Sequence, residues 1–101
     1  KEKNVEGTAA IRLGEEEKYL YVSTRGKNIL SVFSIEDNRC RLIQNADCHG
    51  DHPRDFILDG KYLFCANRFS NEVVSFVLDE NGLIKEEIDR KRVPEAVALL
   101  L

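Results

Sequence analysis

The segment YLYVSTR at residues 19–25 returns as YLFCANR at residues 62–68, a constant 43 positions along the chain. The same register continues into the next segment of each copy. The matched pairs there are Asn28 and Asn71, Phe33 and Phe76, Ile35 and Leu78, Glu36 and Asp79, and Asn38 and Asn81. A period of this length predicts a repeat protein in which each unit is one supersecondary structure.

Each unit contains four strand signals separated by turn residues. In the first unit they span residues 9–13, 19–24, 29–35 and 41–46, and in the second 54–58, 62–66, 72–78 and 83–89. Glycine, asparagine and charged residues at 14–17, 25–28, 59–60 and 80–82 supply the turns. Short apolar runs closed by turns are typical of four-stranded β-propeller blades and not of helical repeats of similar length. The predicted fold class is therefore all-β, built from antiparallel propeller blades.

The second strand of each unit is apolar on both faces. Tyr19 and Tyr21 alternate with Leu20 and Val22 in the first unit, and Tyr62 and Phe64 alternate with Leu63 and Cys65 in the second. A sheet covered on one side only would alternate apolar with polar residues. We therefore expect each sheet to lie between two neighbouring sheets.

The predicted units are a blade at residues 7–50, a blade at 51–92 and the first strand of a further blade at 93–101. Propellers need about 4 to 8 blades to close a ring. We therefore expect the chain to be a C-terminal fragment of a larger propeller, here about two blades and one strand. Alone, its end sheets would expose apolar faces, and the fragment would self-associate.

Composition excludes several classes of partner. The chain has 15 basic and 18 acidic residues, a net charge of -3, and no basic stripe that would favour nucleic acid. No apolar run approaches the roughly 20 residues that span a bilayer. Cys40, Cys48 and Cys65 form no C-x-x-C pair, so reduced thiols in a cytoplasmic protein are expected rather than disulfides.

Residues that recur in both units are expected to serve the scaffold, and residues that do not recur are candidates for function. Arg25 recurs as Arg68, which favours a structural role at the end of a strand, where it would hold the following turn. Arg54 differs, because its counterparts are Ala9 in the first unit and Glu95 in the third. It starts the innermost strand of its blade, the strand that lines the central channel of a propeller.

Arg12 is also unmatched, with Ile57 and Ala98 at the equivalent positions. A guanidinium near the propeller axis suits a carboxylate or phosphate, which its planar fork binds with two hydrogen bonds. We predict Arg54 and Arg12 as substrate-binding residues for a small anionic ligand. The alternative for each is an ion pair with a carboxylate of the neighbouring blade.

The segment DCHGDHPRD at residues 47–55 holds both histidines of the chain. It has no established zinc spacing, so no metal site is predicted. Pro53 is expected to hold His52 extended, and residues two apart on a strand share a face, so His52 and Arg54 would project together. An imidazole beside a fixed cation can bind an anionic substrate and transfer a proton, which makes both predicted catalytic residues. Alternatively, His52 only caps the channel rim.

A known family resembles the chain at these residues. The run HPRDF at 52–56, followed by LFCAN at 63–67, resembles the last blades of the lactonase family of seven-bladed β-propellers, which includes bacterial 6-phosphogluconolactonases. AAIRL at 9–13 and YLYVS at 19–23 are similar to the preceding blade, and Val93-Pro94 with its apolar tail is similar to the family's C-terminus.

The resemblance implies hydrolysis of 6-phospho-glucono-1,5-lactone to 6-phosphogluconate in the pentose phosphate pathway, without a cofactor. Arg54 would be the cation for the substrate's anionic group and the developing oxyanion, and His52 its neighbour in proton transfer. The remaining site residues would come from earlier blades, so the fragment alone would be inactive. Two alternatives stay open, namely a muconate-type lactonising enzyme and a non-catalytic propeller that acts as a binding scaffold.

Overall fold

The computed structural model describes residues 7–67 and 69–93, which form two four-stranded antiparallel sheets. The first sheet contains β1 (Gly7–Leu13), β2 (Tyr19–Arg25), β3 (Ile29–Glu36) and β4 (Arg39–Asp47). The second contains β5 (Pro53–Asp59), β6 (Tyr62–Asn67), β7 (Glu72–Leu78) and β8 (Ile84–Arg92). Each sheet is a meander in which strands pair in chain order, and a short 3-10 turn at Glu15–Glu17 connects β1 to β2. The eight predicted strands and the all-β class are confirmed, while the strand predicted within 93–101 lies almost wholly outside the described residues.

The recurring asparagines have a backbone explanation. Asn28 and Asn71 precede the third strand of their sheets, and both adopt a left-handed conformation, with φ of 58° and 55°. Asparagine tolerates this conformation better than most residues with a Cβ. The repeat therefore preserves the turn that reverses the chain between the second and third strands.

The two sheets pack face to face, and the core lies between them. Tyr21 and Val32 of the first sheet and Leu63, Cys65 and Phe76 of the second are all buried in this interface. The opposite faces are only partly covered. The apolar residues there that are partly buried or exposed include Ile11, Leu13, Leu20, Val22, Phe33 and Leu42 of the first sheet and Ile57, Tyr62, Phe64, Val73 and Val77 of the second. Each sheet is thus apolar on both faces, as predicted, and among residues 7–67 and 69–93 only one face of each sheet packs against another sheet.

Polar contacts also join the sheets. The Gln44 side chain forms two hydrogen bonds with the backbone of Ile84, one from Nε2 to the carbonyl oxygen at 2.9 Å and one from the Ile84 amide to Oε1 at 2.7 Å. These bonds satisfy backbone groups where β8 begins. They also fix the outer strand of the first sheet against the second sheet.

Two further properties bear on the expectations from sequence. Cys40, Cys48 and Cys65 are free thiols, and Cys65 is fully buried like the apolar residues around it. The described residues form no helix with the length and hydropathy that a bilayer crossing requires.

Candidate anion-binding site

The first strand of each sheet contains a β-bulge at the same position. In β1 the register with β2 shifts between Thr8 and Ala10, and in β5 the register with β6 shifts between Pro53 and Asp55. The extra residue is Ala9 in one sheet and Arg54 in the other. A bulge leaves one residue outside the ladder and redirects its side chain, which here exposes the arginine.

A cleft of about 400 Å³ opens between the two bulged strands. Its lining residues are Thr8, Ala9, Ala10, Arg12, Arg25, Arg54 and Asp55. The two sheets build it together, since β1 and β2 supply two of its arginines and β5 supplies the third. Three guanidinium groups against one carboxylate give the cleft the charge of an anion-binding site.

Arg12 already has an anionic partner in this cleft. Its Nη2 lies 2.6 Å from Oδ1 of Asp55 on the other sheet, and its Nη1 donates to the carbonyl oxygen of Ile11 at 3.1 Å. The guanidinium carbon lies 5.8 Å from the centre of the Phe56 ring. The ion pair with the neighbouring blade, which was the alternative for Arg12, is thus present. The Arg12 side chain is nevertheless 41% exposed, so the pair borders solvent.

Arg54 and Arg25 have unused hydrogen-bonding capacity. Among the described residues, Arg54 has neither a hydrogen-bond nor an ion-pair partner for its guanidinium. Nε of Arg25 is buried and has no hydrogen-bond partner in residues 7–67 and 69–93. A buried donor without a partner costs free energy, and a bound acceptor would recover it.

Arg25 was not predicted as a site residue, because its recurrence as Arg68 favoured a scaffold role. The alternation of side chains between the two faces of β2 is the signal that could have identified Arg25. Arg25 lies on the same face of the strand as Tyr21 and Ser23, which are buried toward the second sheet. Its side chain therefore projects toward the start of β5, where Arg54 lies.

His52 departs from the predicted geometry. Its φ is +64°, so the residue is left-handed rather than extended, and it precedes β5 instead of belonging to it. Its amide donates to Oδ1 of Asn28 at 2.8 Å, the residue is 3% exposed, and the centre of its ring lies 4.4 Å from that of Phe69. The expectation that Pro53 aligns His52 with Arg54 is wrong, because two residues share a face only when both are in extended strand. A catalytic role for His52 stays a prediction.

A second and larger cleft, of about 710 Å³, lies at the opposite ends of the same strands. Its charged lining residues are Glu15, Glu16, Asp59, Asp79, Glu80, Lys18 and Lys61. The acidic excess opposes an anionic ligand, so the smaller cleft is the candidate site. No cluster of three or more histidine, cysteine or acidic residues suited to a metal ion occurs in residues 7–67 and 69–93.

Two neighbouring meander sheets that share an arginine-lined cleft at their first strands define a pair of adjacent β-propeller blades. The chain belongs to the lactonase family of seven-bladed β-propellers, whose profile matches residues 1–101.

Several relatives are similar over most of the chain. A 6-phosphogluconolactonase of Formosa agariphila is 37% identical over 86 residues, covering 78% of this chain and 24% of that protein. A Bacteroides fragilis protein described as a candidate 6-phosphogluconolactonase has a solved structure with a TM-score of 0.82 and 32% identity, over 90% of this chain and 27% of that one. The periplasmic gluconolactonase of Pseudomonas aeruginosa shares the fold, with a TM-score of 0.86 at 24% identity over 89% of this chain and 26% of that one. The chain therefore spans about a quarter of the length of these relatives.

Proposed function

We propose that these two blades form part of the active site of a sugar-lactone hydrolase that converts 6-phospho-glucono-1,5-lactone to 6-phosphogluconate. The observation that carries the proposal is the convergence of Arg12, Arg25 and Arg54 in one cleft of a lactonase-family chain. The relatives named as 6-phosphogluconolactonases support the choice of substrate. Five further blades would complete the ring, and we refer to that complete protein as the full-length propeller.

The chemistry of lactone opening suits such a cleft. When water attacks the lactone carbonyl, the carbonyl oxygen becomes an oxyanion, and a fixed cation stabilises it more than it stabilises the neutral substrate. Arg54, exposed and without a partner among the described residues, is the first choice for this contact or for the substrate phosphate. Arg12 adds a second cation at the same cleft. His52, which is 3% exposed, is retained as the proposed proton carrier.

The ion pair between Arg12 and Asp55 favours a second candidate function, that of a non-catalytic propeller with a stabilised centre. A muconate-type lactonising activity is a further alternative, since a carboxylate would use the same arginines. A cytoplasmic location, with reduced cysteines, belongs to the primary proposal.

Lactone hydrolysis by the full-length propeller tests the proposal directly. We expect hydrolysis of 6-phospho-glucono-1,5-lactone well above its spontaneous rate, and slower hydrolysis of the unphosphorylated lactone, which lacks the phosphate that the arginines would bind. Equal rates for the two lactones would show that the arginines do not recognise the phosphate group. If neither lactone is hydrolysed faster than its spontaneous rate, and a muconolactone is not either, the result would favour the non-catalytic propeller that acts as a binding scaffold.

A further inference from the structure

Asp55 is the only carboxylate among the described residues that line the arginine cleft. Its Oδ1 accepts hydrogen bonds from Nη2 of Arg12 at 2.6 Å and from the Phe56 amide at 2.8 Å. The second bond holds the carboxylate on its own strand, while Arg12 comes from the other sheet. Asp55 is therefore positioned independently of Arg12.

Exposure differs across the ion pair. The Arg12 side chain is 41% exposed and that of Asp55 is 20% exposed. The arginine therefore retains donors that face the cleft, whereas the carboxylate lies deeper. A carboxylate at this distance makes the same charge-assisted contact that an oxyanion of a ligand would make. One of the three cations of the cleft is thus already paired with an anion of the protein itself.

We propose that Asp55 is a specificity-determining residue that acts as a resident anion and competes with the oxyanion of the ligand for Arg12. The inference rests on the proposed function only in that the cleft binds an anionic ligand. Competition of this kind lowers affinity for any anion that cannot displace the carboxylate or share Arg12 with it. A weakly charged anion is excluded more strongly than a dianion.

The test is the affinity of the full-length propeller for inorganic phosphate, measured by calorimetry in wild type and in Asp55→Asn. The variant keeps a side-chain oxygen for the Phe56 amide and removes the charge, and we expect phosphate to bind about fivefold more tightly. Asp59→Asn is the matched control, because Asp59 is an exposed residue at the other end of β5 and lines the opposite cleft. It should leave phosphate affinity unchanged.

Placing the same change in an Arg12→Ala background separates competition for Arg12 from a general charge effect. If Asp55 competes for Arg12, the gain from Asp55→Asn disappears in that background. A gain of equal size there, an unchanged or weaker affinity in Asp55→Asn, or no phosphate binding by any variant would overturn the inference. Asp55→Ser serves the same comparison if the asparagine variant does not fold.

Lactone turnover by the same proteins keeps the two proposals distinguishable. Tighter phosphate binding in Asp55→Asn without lactone hydrolysis by wild type would support the resident anion and contradict the proposed reaction. Lactone hydrolysis with unchanged phosphate affinity in Asp55→Asn would do the reverse.

Discussion

The hydroxyl of Tyr21 donates a hydrogen bond to the carbonyl oxygen of Gly82 at 2.7 Å, which ties the middle of the first sheet to the turn before β8. Tyr21 is 3% exposed, and its burial raises the pKa of the phenol from 10.0 to about 12. The neighbouring Tyr19 ring packs on Gly82 itself. Two predictions about stability follow from this contact between the blades.

The first prediction concerns alkaline pH. Because the pKa of Tyr21 is raised from 10.0 to about 12 on folding, its contribution is complete below pH 10 and is lost as pH rises toward 12. In the full-length propeller, Tyr21→Phe should lower the free energy of unfolding by about 1 kcal/mol at neutral pH. The difference from wild type should shrink above pH 10. Denaturant titrations at several pH values measure it, with the exposed Tyr62→Phe as control; a difference that stays constant with pH would contradict the assignment.

The second prediction compares two glycines with positive φ. A Cβ on Gly82, whose φ is +80°, would lie 2.6 Å from Cδ2 of Tyr19, whereas a Cβ on Gly60, whose φ is +60°, meets nothing within 4 Å. Gly60→Ala should therefore cost only the left-handed backbone strain of about 1 kcal/mol. Gly82→Ala adds a clash with a packed ring and should cost about 2 to 4 kcal/mol. Equal melting temperatures for the two variants would show that Tyr19 does not pack on the turn.

The third prediction concerns Arg54. Arg54→Ala in the full-length propeller should reduce kcat/KM for the lactone by an amount equivalent to about 2 to 4 kcal/mol of transition-state stabilisation. Thermal stability should barely change, because Arg54 is exposed and has no ion-pair partner among the described residues. Arg41→Ala, an exposed arginine on an outer strand, is the control. The assignment fails if the Arg54 and Arg41 variants turn over lactone equally well.

The fourth prediction separates two roles for Arg25. If its buried Nε binds the ligand, Arg25→Lys should weaken phosphate binding about tenfold with little loss of stability, because the charge stays and the planar fork is lost. If Arg25 only serves the scaffold, the melting temperature should fall while phosphate affinity is kept. Calorimetry and thermal melts on the same samples distinguish these outcomes.

The fifth prediction concerns the 101-residue chain itself. Its outer faces leave Ile11, Leu13 and Ile88 at least half exposed, at 54%, 50% and 50%. Apolar faces of this kind drive association in water. Light scattering should therefore show oligomers at micromolar concentration, and three copies would supply six blades, close to a natural ring. A cooperatively melting monomer that binds no apolar dye would refute this prediction.

The strands were predictable because the same pattern of apolar runs and turn residues occurs in both units. The assignment of strands in one unit therefore supported the assignment in the other. The position of Arg54 was also predictable, since the repeat comparison aligned it with Ala9 and the strand register confirms that alignment, while its role stays a prediction. Arg25 was missed because recurrence does not distinguish a scaffold residue from one used at a site between blades. The extended conformation predicted for His52 was wrong, because a following proline disfavours the helical conformation without excluding the left-handed one.

The bulge in β1 and β5 has a consequence for how such a protein changes its chemistry. A bulge residue takes no part in the ladder, so its side chain can vary from alanine to arginine with the strand pairing kept. If every blade of a seven-bladed ring kept this bulge, the channel would offer seven interchangeable positions on one rigid frame. Substrate preference could then diverge by single substitutions at these positions, with almost no penalty in foldability.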